Sequence, residues 1–181
     1  MSLAERVVRV LESLGAPYAL IGGQAVTARG YPRLTVDYDF LTTDARVLRR
    51  ETWSALSDAG VAVDPRRGDL DDPLAGVVHL SAVGEAEVDV LLAKWKWEAA
   101  VLARAERLDL GAFEAPVPRT ADLILLKLAA GGGIDIQDAM VLLGTANREE
   151  LIAAVESYLG DLDADAQAAW DRVKADGALG R

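Results

Sequence analysis

Asp37 and Asp39 stand two residues apart inside an apolar run, LTVDYDFL (34–41), and Asp89 stands inside a second run, EVDVLL (87–92). Strands disfavour Asp because its short carboxylate competes with the backbone and is costly to desolvate. Side chains alternate faces along a strand. Arg33, Thr35, Asp37 and Asp39 therefore share one face of the first run, and Leu34, Val36, Tyr38 and Phe40 share the other, which the sheet is expected to bury. In the second run Glu85, Glu87 and Asp89 oppose Ala86, Val88, Val90 and Leu92. Same-face carboxylates at i and i+2 lie about 7 Å apart at Cα and repel unless a cation sits between them. If the two strands are neighbours, Asp37, Asp39 and Asp89 converge. Three hard oxygen donors without His or Cys suit Mg²⁺ or Mn²⁺. The plainer reading is a solvated outer face of an antiparallel sheet, and it weakens as further site-like features accumulate.

Gly22 and Gly23 follow the apolar run Tyr18 to Ile21 and precede a short helix expected over 24–29. A strand, a glycine pair and a helix start form a phosphate-binding geometry, because a missing Cβ admits a phosphate to the backbone N–H groups. A tight turn is the alternative. Arg33 shares the acids' face and either pairs with Asp37 or contacts phosphate; Thr35 reads as a strand filler or an Asp partner. Lys94-Trp95-Lys96-Trp97 reads as a helix start whose tryptophans pack on the core, with a base-stacking edge as the alternative. His79, in an apolar strand, reads as a satisfied structural histidine, and Arg66-Arg67 as a solvated pair.

The elements that must position these residues follow from periodicity and breakers. Helix is expected over 3–14, strands over 18–21 and 35–41, and a helix of about 15 residues from an Asp44 cap to Gly60. A short strand follows at 61–63, a polar loop at 64–73, and two antiparallel strands at 77–83 and 87–92 joined at Gly84. Helix is expected over 95–106, a short strand with loops over 107–117, and helices over 120–131, 135–143, 147–159 and 163–174. The fold class is thus α/β (α+β): a small mixed sheet flanked by helices over 1–118, with a helical part over 119–181, in one domain. Tyr158 and Trp170 read as anchors of the terminal helices.

The 181 residues suffice for one domain with a real core. No Cys and a single His exclude a thiolate zinc site, a disulfide framework and a His-cluster metal site. No apolar stretch has the roughly 20 residues of a membrane span, and no signal-peptide core is present, so a cytoplasmic location is expected. A net charge of −10 leans away from a large RNA substrate unless a local basic patch exists.

LIGGQAVTARGYPRLTVDYDFL (20–41) resembles the nucleotidyltransferase superfamily motif: an apolar run, Gly-Gly, a short helix, then Asp-x-Asp between apolar residues. EVDVLL resembles that superfamily's third-carboxylate strand. RTADLILLKLAAGGGIDIQDAMVLL (119–143) resembles the C-terminal helical segment of its minimal bacterial branch, which includes AbiEii-like toxins. The resemblance implies a nucleotidyltransferase-like fold and metal-dependent transfer of a nucleotidyl group from an NTP to a hydroxyl on RNA, protein or a small molecule. It also implies a possible antitoxin partner. By the same resemblance Gly22 and Gly23 hold the nucleotide phosphates, and Asp37 and Asp39 bind the metals. Asp89 is the third ligand and activates the acceptor hydroxyl, and Lys127 faces the nucleotide. The chain departs from the pattern at Ala130-Gly131-Gly132-Gly133, where relatives carry Arg or Lys, while Asp135 and Asp138 keep the acidic positions. That gap leaves a catalytically inactive nucleotide- or partner-binding protein as the alternative.

Overall fold

The computed structural model describes residues 1–70 and 72–176; Asp71, within the expected polar loop, lies outside the described residues, as do 177–181. Helix α1 (Leu3–Ser13) starts from a capping box in which Ser2 and Glu5 satisfy each other's backbone N–H groups, and its buried stripe is Leu3, Val7, Val8 and Leu11. Strand β1 (Tyr18–Ile21) runs directly into α2 (Gly22–Ala28). Strands β2 (Tyr38–Thr42), β3 (Ala62–Arg67), β4 (Gly76–Ser81) and β5 (Val88–Leu92) complete a five-stranded sheet in the order β1-β2-β5-β4-β3. Only β2 and β5 pair in parallel. A short helix α3 (Ser54–Asp58) precedes β3.

Two adjacent rows across this sheet show its logic. One row runs Leu20–Phe40–Val90–Val78, and all four are buried. The next runs Ile21–Asp39–Asp89–His79–Asp64 on the opposite face. On that same face, on the other side of the Leu20–Phe40 row, Ala19 and Leu41 pack with Leu102 of α4 (Lys96–Arg104), so the face is apolar and covered at one end and acidic at the other. After α4 come the separate hairpin β6 (Glu106–Asp109) and β7 (Glu114–Val117), then α5 (Thr120–Ala130), α6 (Gly133–Leu142), α7 (Arg148–Glu156) and α8 (Ala164–Asp176). A single cluster of buried apolar side chains runs from Leu3 and Val7 through Phe40 and Val90 to Leu123, Leu142 and Trp170.

Four expectations are corrected. The acidic strand begins at Tyr38 rather than 35, and Leu34 and Val36 are exposed rather than buried, at 103% and 67% of full accessibility. The cause is that β1 ends at Ile21, opposite Asp39, where the chain turns away into α2. Residues 34–37 have no β1 segment to pair with. The helix expected over 44–60 is two 3₁₀ turns, Ala45–Leu48 and Arg50–Trp53, followed by α3, although Asp44 does cap it through the Arg46 N–H. Arg49 adopts an extended conformation between the turns. This folds Trp53 inward so that its indole N–H donates to the Val47 carbonyl at 2.7 Å. Residues 64–67 belong to β3 rather than to a loop, and Pro65 is tolerated because β3 is an edge strand. Glu85 lies in the turn before β5 and pairs with Arg6 of α1, so it leaves the face of Glu87 and Asp89.

Candidate functional site

The parallel pairing of β2 and β5 sets Asp39 directly opposite Asp89. Asp37 lies two residues before Asp39 on the extended segment that enters β2. All seven residues singled out from the sequence, Gly22, Gly23, Arg33, Asp37, Asp39, Asp89 and Lys127, line one open cleft of about 200 Å³, joined there by Thr35 and Glu87.

The glycine pair is required by close packing at this wall. Gly22 opens α2 with φ +66°, and a Cβ there would run into the Asp39 carboxylate. A Cβ on Gly23 would lie 2.8 Å from Thr35 Cγ2. The glycines thus let β2 and the segment 33–37 approach the β1–α2 turn, and Gln24 Nε2 ties that segment down by donating to the Thr35 carbonyl at 3.2 Å.

The two cations of the cleft are both bound to α6. Lys127, buried on α5, donates to Asp135 Oδ1 at 2.7 Å and reaches Asp138 Oδ2 at 2.8 Å. Arg33 pairs with the same Asp138 oxygen, not with Asp37. A basic side chain thus reaches Asp138 from the segment before β2 as well as from α5. Gly131, at φ +68°, ends α5 and lets α6 start immediately beside it.

Four carboxylates, Asp37, Asp39, Glu87 and Asp89, thus face two cations that α6 already engages. Burial raises the Asp39 carboxyl to about 6, the neighbouring Asp89 and Asp37 charges push the same way, and Lys127 and Arg33 oppose them. The group is short of positive charge. Among the described residues no three His, Asp or Glu side chains are gathered closely enough to hold a metal ion by themselves, so the expected three-carboxylate cage does not stand preformed. Mg²⁺ commonly takes only one or two protein carboxylates and completes its octahedron with water and phosphate oxygens. The oxygen donors present fit a hard divalent ion that takes the rest of its ligands from outside the protein.

No protein-family model matches the sequence, and no curated protein matches it. Solved structures do. The solution structure of the antibiotic-resistance factor ANT(2'')-Ia matches with a TM-score of 0.56 at 16% identity, over 96% of this chain and 96% of that one. A crystal structure of ANT(2'')-Ia in complex with adenylyl-2''-tobramycin matches with a TM-score of 0.56 at 17% identity, over 87% and 95%. The lincomycin-bound lincosamide antibiotic adenylyltransferase LnuA matches with a TM-score of 0.52 at 13% identity, over 79% and 96%. The chain has a nucleotidyltransferase-like fold.

Within that fold, two polar residues near the acids escaped the sequence reading. Glu87 was seen only as a face-mate of Asp89, yet it lines the cleft. His79 is satisfied, as expected, but its partner is a cleft acid: its side chain is 37% exposed, and Nδ1 lies 2.7 Å from Asp89 Oδ1. The signal for it was the β4–β5 hairpin register, which sets His79 opposite Asp89. The Lys-Trp pairs divide. Trp97 packs against the core, whereas Trp95 is exposed under the Lys94 ammonium, which caps the Leu70 carbonyl at 2.8 Å. Trp170 is fully buried as expected, whereas Tyr158 is exposed and stacks with the Arg104 guanidinium instead of packing on the core. Among the described residues no helix is long and apolar enough to cross a membrane.

Proposed function

We propose that this protein is a divalent-metal-dependent nucleotidyltransferase that moves a nucleotidyl group from an NTP to a hydroxyl acceptor. The observation that carries the reading is the direct pairing of Asp39 with Asp89 across parallel strands. They lie in a cleft that also gathers Asp37, a glycine turn and two cations, within a nucleotidyltransferase-like fold. Asp37 and Asp39 would hold Mg²⁺ or Mn²⁺, with Asp89 as a third ligand. Such an ion supplies charge neutralisation on the triphosphate and a lowered pKa for a coordinated hydroxyl. Asp89 takes the proton of the acceptor hydroxyl. The acceptor oxygen forms a bond to the α-phosphorus, the bond from that phosphorus to the bridging oxygen breaks, and pyrophosphate leaves with the electron pair. Lys127 and Arg33 meet the phosphates, and backbone N–H groups at Gly22 and Gly23 complete the cradle. A cleft of about 200 Å³ is below the usual size of a whole ligand pocket, so it takes the phosphate end and leaves base and sugar outside.

The acceptor we favour is a small hydroxylated molecule. A net charge of −10 disfavours an RNA, and the solved neighbours include an adenylyl-tobramycin complex and a lincomycin complex. The finer AbiEii-like assignment, with RNA or protein as target and an antitoxin partner, rests on the residue pattern of 119–143 alone. The test is calorimetric titration with each of the four NTPs in Mg²⁺ and Mn²⁺, then pyrophosphate release against hydroxylated acceptors. Metal-dependent binding that Asp39→Asn abolishes is the expected result. Binding of nucleotide without turnover on any acceptor would favour the inactive binding protein, and no nucleotide binding at all would end the reading.

A further inference from the structure

His79 is the chain's only histidine, and nothing in the proposed chemistry uses it. It sits on β4 directly opposite Asp89 of β5, on the same face of the sheet, with Nδ1 2.7 Å from Asp89 Oδ1. Its other nitrogen, Nε2, is 3.7 Å from Glu87 Oε2. On its far side the cross-strand residue is Asp64, whose carboxylate is taken by Arg66 at 2.7 Å and makes no bond to the imidazole. The ring is thus committed to Asp89. A carboxylate only accepts hydrogen bonds, so the contact requires the proton on Nδ1.

We propose that His79 is a positioning residue for Asp89: its Nδ1–H holds Oδ1 and leaves Oδ2 as the oxygen presented to the cleft. This rests on the nucleotidyl-transfer reading above. An Asp side chain rotates freely about two bonds, and its neighbours Asp39 and Glu87, which line the same cleft, carry like charge. Fixing one oxygen to a neighbouring strand turns a mobile carboxylate into a directed one, and the rigid β4–β5 ladder carries the direction. Partners of this kind behind a metal-binding side chain are worth 10–100-fold in metal affinity or activity.

The test uses two amide substitutions of equal polarity and different reach. In His79→Asn the side-chain NH₂ falls near the position of Nδ1; in His79→Gln it falls near Nε2. Mn²⁺ binding is titrated in the presence of α,β-methylene-ATP, with melting temperature followed alongside. The expected result is a loss of Mn²⁺ affinity of about tenfold or more in His79→Gln and recovery to within about threefold of the parent in His79→Asn, with similar melting temperatures. Because the histidine is unique, its imidazole ¹⁵N signals need no assignment. They should report Nδ1–H in the parent, and the opposite tautomer should gain in Asp89→Ala. Equal Mn²⁺ affinity in parent and His79→Gln, or an Nε2–H tautomer in the parent, overturns the proposal and leaves nucleotidyl transfer standing. A parent that binds no Mn²⁺ with nucleotide overturns both.

Discussion

Replacing Asp39 by Asn should stabilise the metal-free protein, and only above a definite pH. Burial beside Asp89 and Asp37 raises the Asp39 carboxyl from 3.8 to about 6. A folded-state pKa above the unfolded value means that the native state binds the proton more tightly. The neutral form therefore stabilises the fold, fully so below pH 3.8, and that stability is lost as the pH rises through 6. The shift of roughly two units corresponds to about 3 kcal/mol as an upper bound. Asparagine keeps the shape without the charge but gives up the attraction of Lys127 and Arg33, so the net gain should be about 1–2 kcal/mol. For a chain of this size that is roughly 2–8 °C in Tm. The assay is a thermal melt in EDTA at pH 8 and at pH 4.5, with parent and Asp39→Asn side by side. The variant should lead at pH 8, and the lead should largely vanish at pH 4.5. Saturating Mn²⁺ with nucleotide should raise the parent by about 2.7 kcal/mol at 100 times Kd and leave the variant unmoved. A variant less stable than the parent at pH 8, or a lead that does not shrink on acidification, would refute the reasoning that Asp39 is an uncompensated charge.

Gly22→Ala should cost about 2–4 kcal/mol, from its left-handed backbone and the collision with Asp39. Adding Asp39→Ala should recover about 1 kcal/mol or more of this in urea unfolding, and strict additivity would show that the two do not touch. Lys127→Met leaves the buried Asp138 with Arg33 alone and should lower stability by about 3 kcal/mol. Arg33→Met, which leaves Lys127 in place, should cost about 1 kcal/mol. Calorimetry that ranks them the other way would place the main counter-charge of Asp138 on the segment before β2 rather than on α5.

The acids were legible in the sequence because alternation along β5 and the β2–β5 register act together. Val88 and Val90 go inward, and Asp89 must go outward beside Asp39. The extent of β2 was not legible. Apolar alternation continues back to Leu34, but pairing ends where β1 ends, and that is decided by a turn in another segment. Strand alternation puts Arg33 on the face of Asp37 and so suggests Asp37 or a phosphate as its partner. Its partner Asp138 is 105 residues away and reaches it only through the packing of α6. Lys127 came from resemblance alone, since a lysine on an apolar helix carries no spacing signal. The broken helix over 45–58 was hidden because local propensity favours a continuous helix, while burying Trp53 with its N–H satisfied favours the bent one.

The position of the cleft follows from the point at which β1 leaves the sheet. On the same face, Ala19 and Leu41 are covered by Leu102 and Leu126. At the row of Asp39 and Asp89, β1 gives way to α2 through Gly22, and the sheet opens. A one-residue slip of β2 or β5 would move the acids into the row of Phe40 and Val90, which is fully buried, so register and site are one constraint. Asp37 lies outward, before the strand begins, and Asp89 is partly committed to His79. Asp39 lies inside the ladder, and burial there raises its carboxyl to about 6. Its ionisation therefore costs the apo fold stability, and a cation bound beside it would return that stability.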